Sequence, residues 1–169
     1  MSNQELISPH INVWTDGGCR NNGQNKNIGG YGIIVDAGST IPYYEVSNYE
    51  YDTTNNRMEL EAVVYALEDL AEISQGTMYP TIVVYTDSNY VVQAACAWVY
   101  NWKRSGWTTA NGGPVANQDL WMRYLVAVRD LKDVMVLHVP RDSHPLNIRA
   151  DKLANVAMDK GESRRKHTL

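Results

Sequence analysis

Long apolar runs are missing from this chain. No stretch approaches the ~20 residues needed to cross a membrane as a helix, which excludes a helical membrane span. Cysteine is scarce: Cys19 and Cys96 are the only two in 169 residues. Two cysteines make no disulfide framework. With four scattered histidines they make no zinc site either. A reducing cytosol is the expected compartment. A basic excess is absent as well, with 15 Lys and Arg against 19 Asp and Glu, net −4. A strongly basic balance would announce a nucleic-acid partner; its absence leaves local patches to decide. Met1 to His10 shows no charged region leading into an apolar one, so no secretory signal is expected.

What is present fits one globular domain. Apolar residues make up 44% of the chain, enough for a sizeable core and too many for a disordered one. No internal repeat or low-complexity block interrupts it. Residues 1–10 read as a loose leader, 11–160 as the folded domain, and 161–169 as a frayed basic tail carrying Arg164, Arg165, Lys166 and His167.

Strand-like and helix-like segments alternate within the domain. Ile11–Thr15 is an apolar-rich run that ends in Asp16-Gly17-Gly18. Gly30–Asp36 and Tyr43–Tyr49 are β-rich and separated by Gly38 and Pro42, as in a hairpin or meander. Residues 56–73 have helical periodicity, with Leu60, Val63, Val64, Leu67, Leu70 and Ala71 on one face. Thr81–Tyr85 is a continuous apolar run of the kind buried on both faces of a sheet. Ser88–Trp102 and Asp119–Leu131 read as helices, Val134–Val139 as a fifth strand, and Ile148–Lys160 as a final helix. The order β-β-β-α-β-α-α-β-α specifies an α/β fold: a five-stranded mixed sheet with helices on both faces.

Two strand-like runs end alike, Trp14-Thr15-Asp16-Gly17 and Tyr85-Thr86-Asp87-Ser88. In open α/β sheets, sites form beyond the carboxyl ends of strands. If the two strands are parallel neighbours, Asp16 and Asp87 lie side by side there. Singly, each has a plain structural reading, Asp16 as a turn residue and Asp87 or Ser88 as a helix cap. Glu59 fits a capping box, yet at ~100° per residue it points roughly 140° from the centre of its helix's polar face. Asp151 falls near the start of the last helix beside Ala154 and Met158, where a helix-dipole role is the plain reading. Four carboxylates converging on one sheet edge repel one another unless cations sit between them. Hard divalent ions with oxygen ligands suit such a cluster, magnesium or manganese before zinc. Two such ions clamp the attacking and leaving oxygens of a phosphoryl displacement.

Motifs along the chain are similar to those of type 1 ribonuclease H. They are Thr15-Asp16-Gly17-Gly18-Cys19, Gly29-Gly30-Tyr31-Gly32, and the highly specific Thr53-Thr54-Asn55-Asn56-Arg57-Met58-Glu59-Leu60. Tyr85-Thr86-Asp87-Ser88-Asn89-Tyr90-Val91 and Asn101-Trp102-Lys103-Arg104-Ser105-Gly106-Trp107 follow. Asn117-Gln118-Asp119-Leu120-Trp121 and His144-Pro145-Leu146-Asn147-Ile148-Arg149-Ala150-Asp151 complete the series, in the family's order. The resemblance implies a ribonuclease H-like fold and a ribonuclease H catalytic domain over residues 11–160. It implies endonucleolytic hydrolysis of the RNA strand of an RNA–DNA hybrid with two Mg2+ ions (Mn2+ as a substitute), leaving 5′-phosphate and 3′-hydroxyl ends. It makes Asp16, Glu59, Asp87 and Asp151 the metal-binding acids. Asn22, Asn55 and Asn89 match positions that touch the hybrid from its minor groove, where 2′-hydroxyls are displayed. Thr54 matches a hydroxyl that helps hold a DNA phosphate. No membrane and no small-molecule cofactor are expected, and a monomer is.

Residues 98–116 resemble the family's basic, aromatic protrusion. Trp98, Trp102, Trp107 and Trp121 are expected mostly to pack, leaving Lys103 and Arg104 as phosphate contacts. Ser105, Thr108, Gly112, Gly113 and Ala116 stand where bacterial enzymes are often basic. Fewer cations release fewer counterions, so hybrid binding is expected to be weaker and less salt-sensitive. A second departure precedes Asp151. The family's mobile loop histidine is replaced, aligning on His144-Pro145, by Arg141 in Val139-Pro140-Arg141-Asp142. Arginine does not deprotonate near neutral pH and relays no proton, although it can bind the scissile or leaving phosphate. His144 is expected to be structural. Three rivals remain at this stage: a related nuclease such as a junction resolvase, a non-catalytic hybrid-binding module, and a domain cut from a reverse transcriptase.

Overall fold

The computed structural model describes residues 10–74 and 80–168. A central sheet has strand order β3-β2-β1-β4-β5. β1 (Ile11–Arg20), β2 (Ile28–Asp36) and β3 (Tyr44–Tyr51) form an antiparallel meander. β4 (Ile82–Thr86) pairs parallel with β1, and β5 (Val134–His138) parallel with β4. The sheet is therefore mixed, as the segment order requires.

The helices cover both faces. α1 (Asn55–Ser74) buries Leu60, Val63, Val64, Leu67 and Leu70 against the sheet beside α4 (Gln118–Leu131). Ile11, Val13, Ile33, Val35 and Val84 meet them from the strands. Because side chains alternate along a strand, Trp14 and Ile34 point the other way, to α5 (Pro145–His167), where they enclose Ala150. No described helix is long and apolar enough to cross a membrane.

The Gly-Gly-Tyr-Gly segment has a packing cause. A Cβ on Gly30 would lie 2.6 Å from the Ala154 carbonyl oxygen, and one on Gly32 would overlap that of Ala150. Bare backbone on β2 lets α5 lie directly on the sheet, which brings the start of that helix to the site. The second core face is small for this reason.

Three local expectations change. The first strand does not turn at Asp16. It runs on to Arg20, because β2 pairs with it through Arg20–Ile28. The helix over Ser88–Trp102 is three segments: α2 (Asn89–Gln93), a π-helical turn (Ala94–Trp98) and α3 (Val99–Arg104). The widened turn keeps Ala94, Ala95 and Val99 buried and leaves Cys96, Ala97 and Trp98 exposed. Residues 161–167 do not fray but continue α5. Gly161 packs under Ile28 and Tyr49, and Arg165 stacks over Tyr51 at 4.0 Å. The expected leader falls, except for His10, outside the described residues.

Candidate active site

β1 and β4 set two aspartates level. Their parallel register pairs Trp14 with Tyr85; two residues further along each chain come Asp16 and Asp87. Alternation then assigns faces. Asp16 shares Trp14's side and meets α5, and Gly17 faces α1. At Gly17 a Cβ would fall 2.6 Å from the Glu59 nitrogen, so the start of α1 sits against bare β1 backbone. Glu59 thereby enters between the two aspartates. Single carboxylate oxygens of Asp16, Glu59 and Asp87 all lie within 4.8 Å of one another. Asp151, on α5, shares a hydrogen bond with the Asp16 carboxyl.

The four acids line one cleft of about 560 Å³, together with Asn55, Asn89 and Arg141. Asp16 is only 6% exposed. Its burial, the shared hydrogen bond with Asp151 and the charges of Asp87 and Asp151 push its carboxyl up to about 8. Glu59 is also pushed well above the usual carboxylate range, first by burial and then by Asp16 and Asp87. Among the described residues, no Arg or Lys forms an ion pair with any of the four acids. Oε2 of Glu59 is buried without a hydrogen-bond partner. A buried carboxylate oxygen left unpaired among like charges is costly. An all-oxygen donor set with an orphaned oxygen is what a hard divalent cation satisfies, so these residues fit such an ion.

The other expected residues divide into two groups. Asn22 and Asn55 form a chain of bonds with Cys19 at the entry to α1, and Thr54 caps the helix separately. The Asn22 amide oxygen accepts from the Asn55 N–H (3.0 Å), the Asn55 amide oxygen from the Cys19 N–H (2.6 Å), and the Thr54 hydroxyl from the Arg57 N–H (3.1 Å). The oxygens of both asparagines are thus committed, and no partner engages their NH2 groups among the described residues. Asn89 is exposed on the cleft wall. Lys103 and Arg104 do not line the cleft; they end α3, exposed, with Arg104 bonded to Asn101.

In the protrusion, Trp121 is fully buried and donates from its indole N–H to the Tyr90 hydroxyl at 2.9 Å. Trp102 packs between Trp98 and Trp121. Trp107 is half-buried against the core, and Trp98 is 40% exposed. Packing accounts for most of the tryptophans.

Arg141 lines the cleft from an exposed turn. His144 is structural. Its Nδ1 accepts from the Leu146 N–H at 3.1 Å, capping α5, and its ring stacks on Trp14 at 4.1 Å. Burial raises the Cys19 thiol, so that cysteine is not an activated nucleophile.

Sequence reasoning missed two cleft residues. Arg20 reaches from the end of β1 to the Asn155 amide oxygen (3.1 Å), and Asn155 donates to the Asp151 carbonyl (3.0 Å). The signal for Asn155 was the i, i+4 relation to Asp151, which places both on one helical stripe.

The family model for RNase H matches residues 8–159. A ribonuclease H of Novosphingobium aromaticivorans is 39% identical over 148 residues, 88% of this chain and 96% of that protein. A ribonuclease HI of Caulobacter vibrioides is 40% identical over 160 residues, 94% of this chain and 99% of its own. Among solved structures, LC9-RNase H1, a type 1 enzyme with the type 2 active-site motif, superposes with a TM-score of 0.74 at 31% identity, covering 92% of this chain and 74% of that one. LC11-RNase H1 in complex with an RNA/DNA hybrid gives 0.64 at 26%, covering 89% and 98%.

Proposed function

The chain belongs to the ribonuclease H family, and from that premise we propose that it cuts the RNA strand of RNA–DNA hybrids endonucleolytically in the cleft of Asp16, Glu59, Asp87 and Asp151. The products carry 5′-phosphate and 3′-hydroxyl ends. Membership makes it a divalent-metal-dependent nuclease. The observation that carries the reading is the convergence of Asp16, Glu59 and Asp87 within 4.8 Å with no protein cation paired to them.

Two magnesium ions, with manganese as a substitute, are the proposed occupants, held by the four acids. When bound, such ions stabilise charge on the attacking and leaving oxygens of the phosphodiester and supply a water of lowered pKa. The chain's own residues hold and orient. Gly17 fixes Glu59 beside Asp16, and the α5 cap at His144 sets the helix that carries Asp151. The free NH2 groups of Asn22 and Asn55, with Asn89, are placed to read 2′-hydroxyls and base edges in the minor groove. Thr54, Lys103 and Arg104 take backbone phosphates. Arg141 binds the phosphate at the cleft mouth and, remaining charged, moves no proton.

The hybrid-bound relative supports the choice of substrate. A monomer acting in the cytoplasm without a small-molecule cofactor completes the proposal. The test offers the protein a hybrid, a DNA duplex and a four-way junction, each with magnesium. Cleavage confined to the RNA of the hybrid supports the reading; cleavage of the junction makes the protein a resolvase instead.

A further inference from the structure

The cleft-facing stripe of α5 extends past the acids. Asp151, Asn155 and Met158 line the cleft. At ~100° per residue the same stripe continues to Glu162, Arg165 and Lys166. Arg165 donates to the Lys26 carbonyl at 2.8 Å and lies over the Tyr51 ring. This seats the end of α5 on the loop between β1 and β2, the loop whose Asn22 bonds to Asn55.

The charges on this surface are unequal. Arg20 pairs with Asp159 at 2.8 Å and Glu162 at 3.1 Å, which occupies both acids. Lys26, Arg165 and Lys166 have no carboxylate partner among the described residues. Arg165 meets the Lys26 carbonyl and Lys166 follows it in sequence; with Arg20, Asp159 and Glu162 these six groups carry a net charge of +2 in a chain whose net charge is −4. The helix dipole accounts for cations in the last turn of α5. It does not account for Lys26, which belongs to a different segment.

We infer that Lys26, Arg165 and Lys166 form a second backbone-binding surface for the nucleic-acid duplex seated in the cleft. Its partner is the sugar-phosphate backbone of the hybrid beyond the cleavage site. The inference rests on the hybrid-cleaving reading above. Along α5, Arg165 lies about 21 Å from Asp151 at ~1.5 Å per residue, or roughly six base pairs at ~3.4 Å each. The surface supplies cations that the protrusion lacks at Ser105, Thr108, Gly112, Gly113 and Ala116. Hybrid affinity in this protein therefore depends on duplex length on the α5 side.

The test is binding of two hybrids by the full chain in an Asp87→Asn background, which prevents turnover. One hybrid ends at the cleft; the other extends about six base pairs further toward the end of α5. Lys26→Gln with Lys166→Gln, whose side chains make no ion pair among the described residues, is compared with its parent across a salt series. The expected result is a several-fold affinity loss on the extended hybrid alone, with a salt slope shallower by about two. The lysine-to-arginine pair restores both. Equal affinity and slope on the extended hybrid overturns the inference, as does equal loss on both hybrids. If the protein with Asp87 and both lysines intact does not cut the extended hybrid in magnesium, the underlying reading has failed instead.

Discussion

Gly17 of β1 lies directly under the peptide that joins Met58 to Glu59, with room for a hydrogen and none for a methyl group. Glu59 reaches the aspartates because of that contact. Gly17→Ala displaces the start of α1, and a misplacement near 1 Å costs about 100-fold in rate. Steady-state cleavage of a hybrid, with circular dichroism to establish folding, measures it. Unchanged turnover shows that the contact does not position Glu59.

Asp16 ionises against burial and against two neighbouring acids. Removing its charge relieves that repulsion. In chelator at pH 8, Asp16→Asn is expected to melt higher than wild type, by about 2–4 °C per kcal/mol relieved. Added magnesium raises the wild-type melting temperature and leaves that of the variant nearly unmoved. A lower melting temperature for the variant in chelator contradicts the electrostatic account of the site.

His144 caps α5 and stacks on Trp14. His144→Ala loses both, a stability loss of about 2 kcal/mol from a cap of ~1 and a ring pair of comparable size. His144→Asn keeps the cap and recovers part of the loss. Neither change alters the shape of the pH–rate profile, because the ring is not a proton relay. Urea melts and a pH–rate series on both variants decide this.

Arg141 lines the cleft from an exposed turn. Arg141→Ala is expected to lower kcat by about tenfold, the order of a lost charge-assisted phosphate bond. Arg141→His is expected to add a pH inflection that wild type lacks. A wild-type profile that already has the inflection refutes the assignment of Arg141 as a fixed charge.

Away from the cleft, Glu61 on α1 is pushed up to about 7 by burial and by its hydrogen bond to Glu50, while Arg57 and Arg123 oppose the shift. Tyr31 faces the same group. The folded state holds this proton more tightly than the unfolded chain, in which the carboxyl titrates near 4.5. The contribution is therefore fully present below about pH 4.5 and lost as pH rises through about 7. Glu61→Gln should flatten the dependence of stability on pH across that window and raise stability at pH 8. Chemical denaturation at pH 5 and pH 8 tests the sign.

The order of elements and the acids were legible in the sequence for one reason: buried strands and helix faces repeat with fixed periods. The equivalent endings at Asp16 and Asp87 point to neighbours because parallel strands keep register. The angular position of Glu59 separates it from its polar face. Tertiary pairing was not local enough to read. β1 passes Asp16 because β2 supplies a partner as far as Arg20. The last turns of α5 are held by Tyr49, Tyr51 and Lys26, none of them near in sequence. The closeness of α5 to β2 depends on missing Cβ atoms, so Gly-Gly-Tyr-Gly reads as a weak motif and acts as a packing surface. Arg20 was invisible as a cleft residue because its partners lie more than a hundred residues away.

The most direct measurement follows an end-labelled RNA strand in an RNA–DNA hybrid, incubated with magnesium and either the wild-type protein or Asp87→Asn. The account predicts internal cuts in the RNA by wild type, none in the DNA strand, and loss of at least about 1000-fold in the variant, the order of a disabled metal centre. Tight binding of the hybrid by both proteins without cleavage by either, in magnesium or manganese, contradicts it.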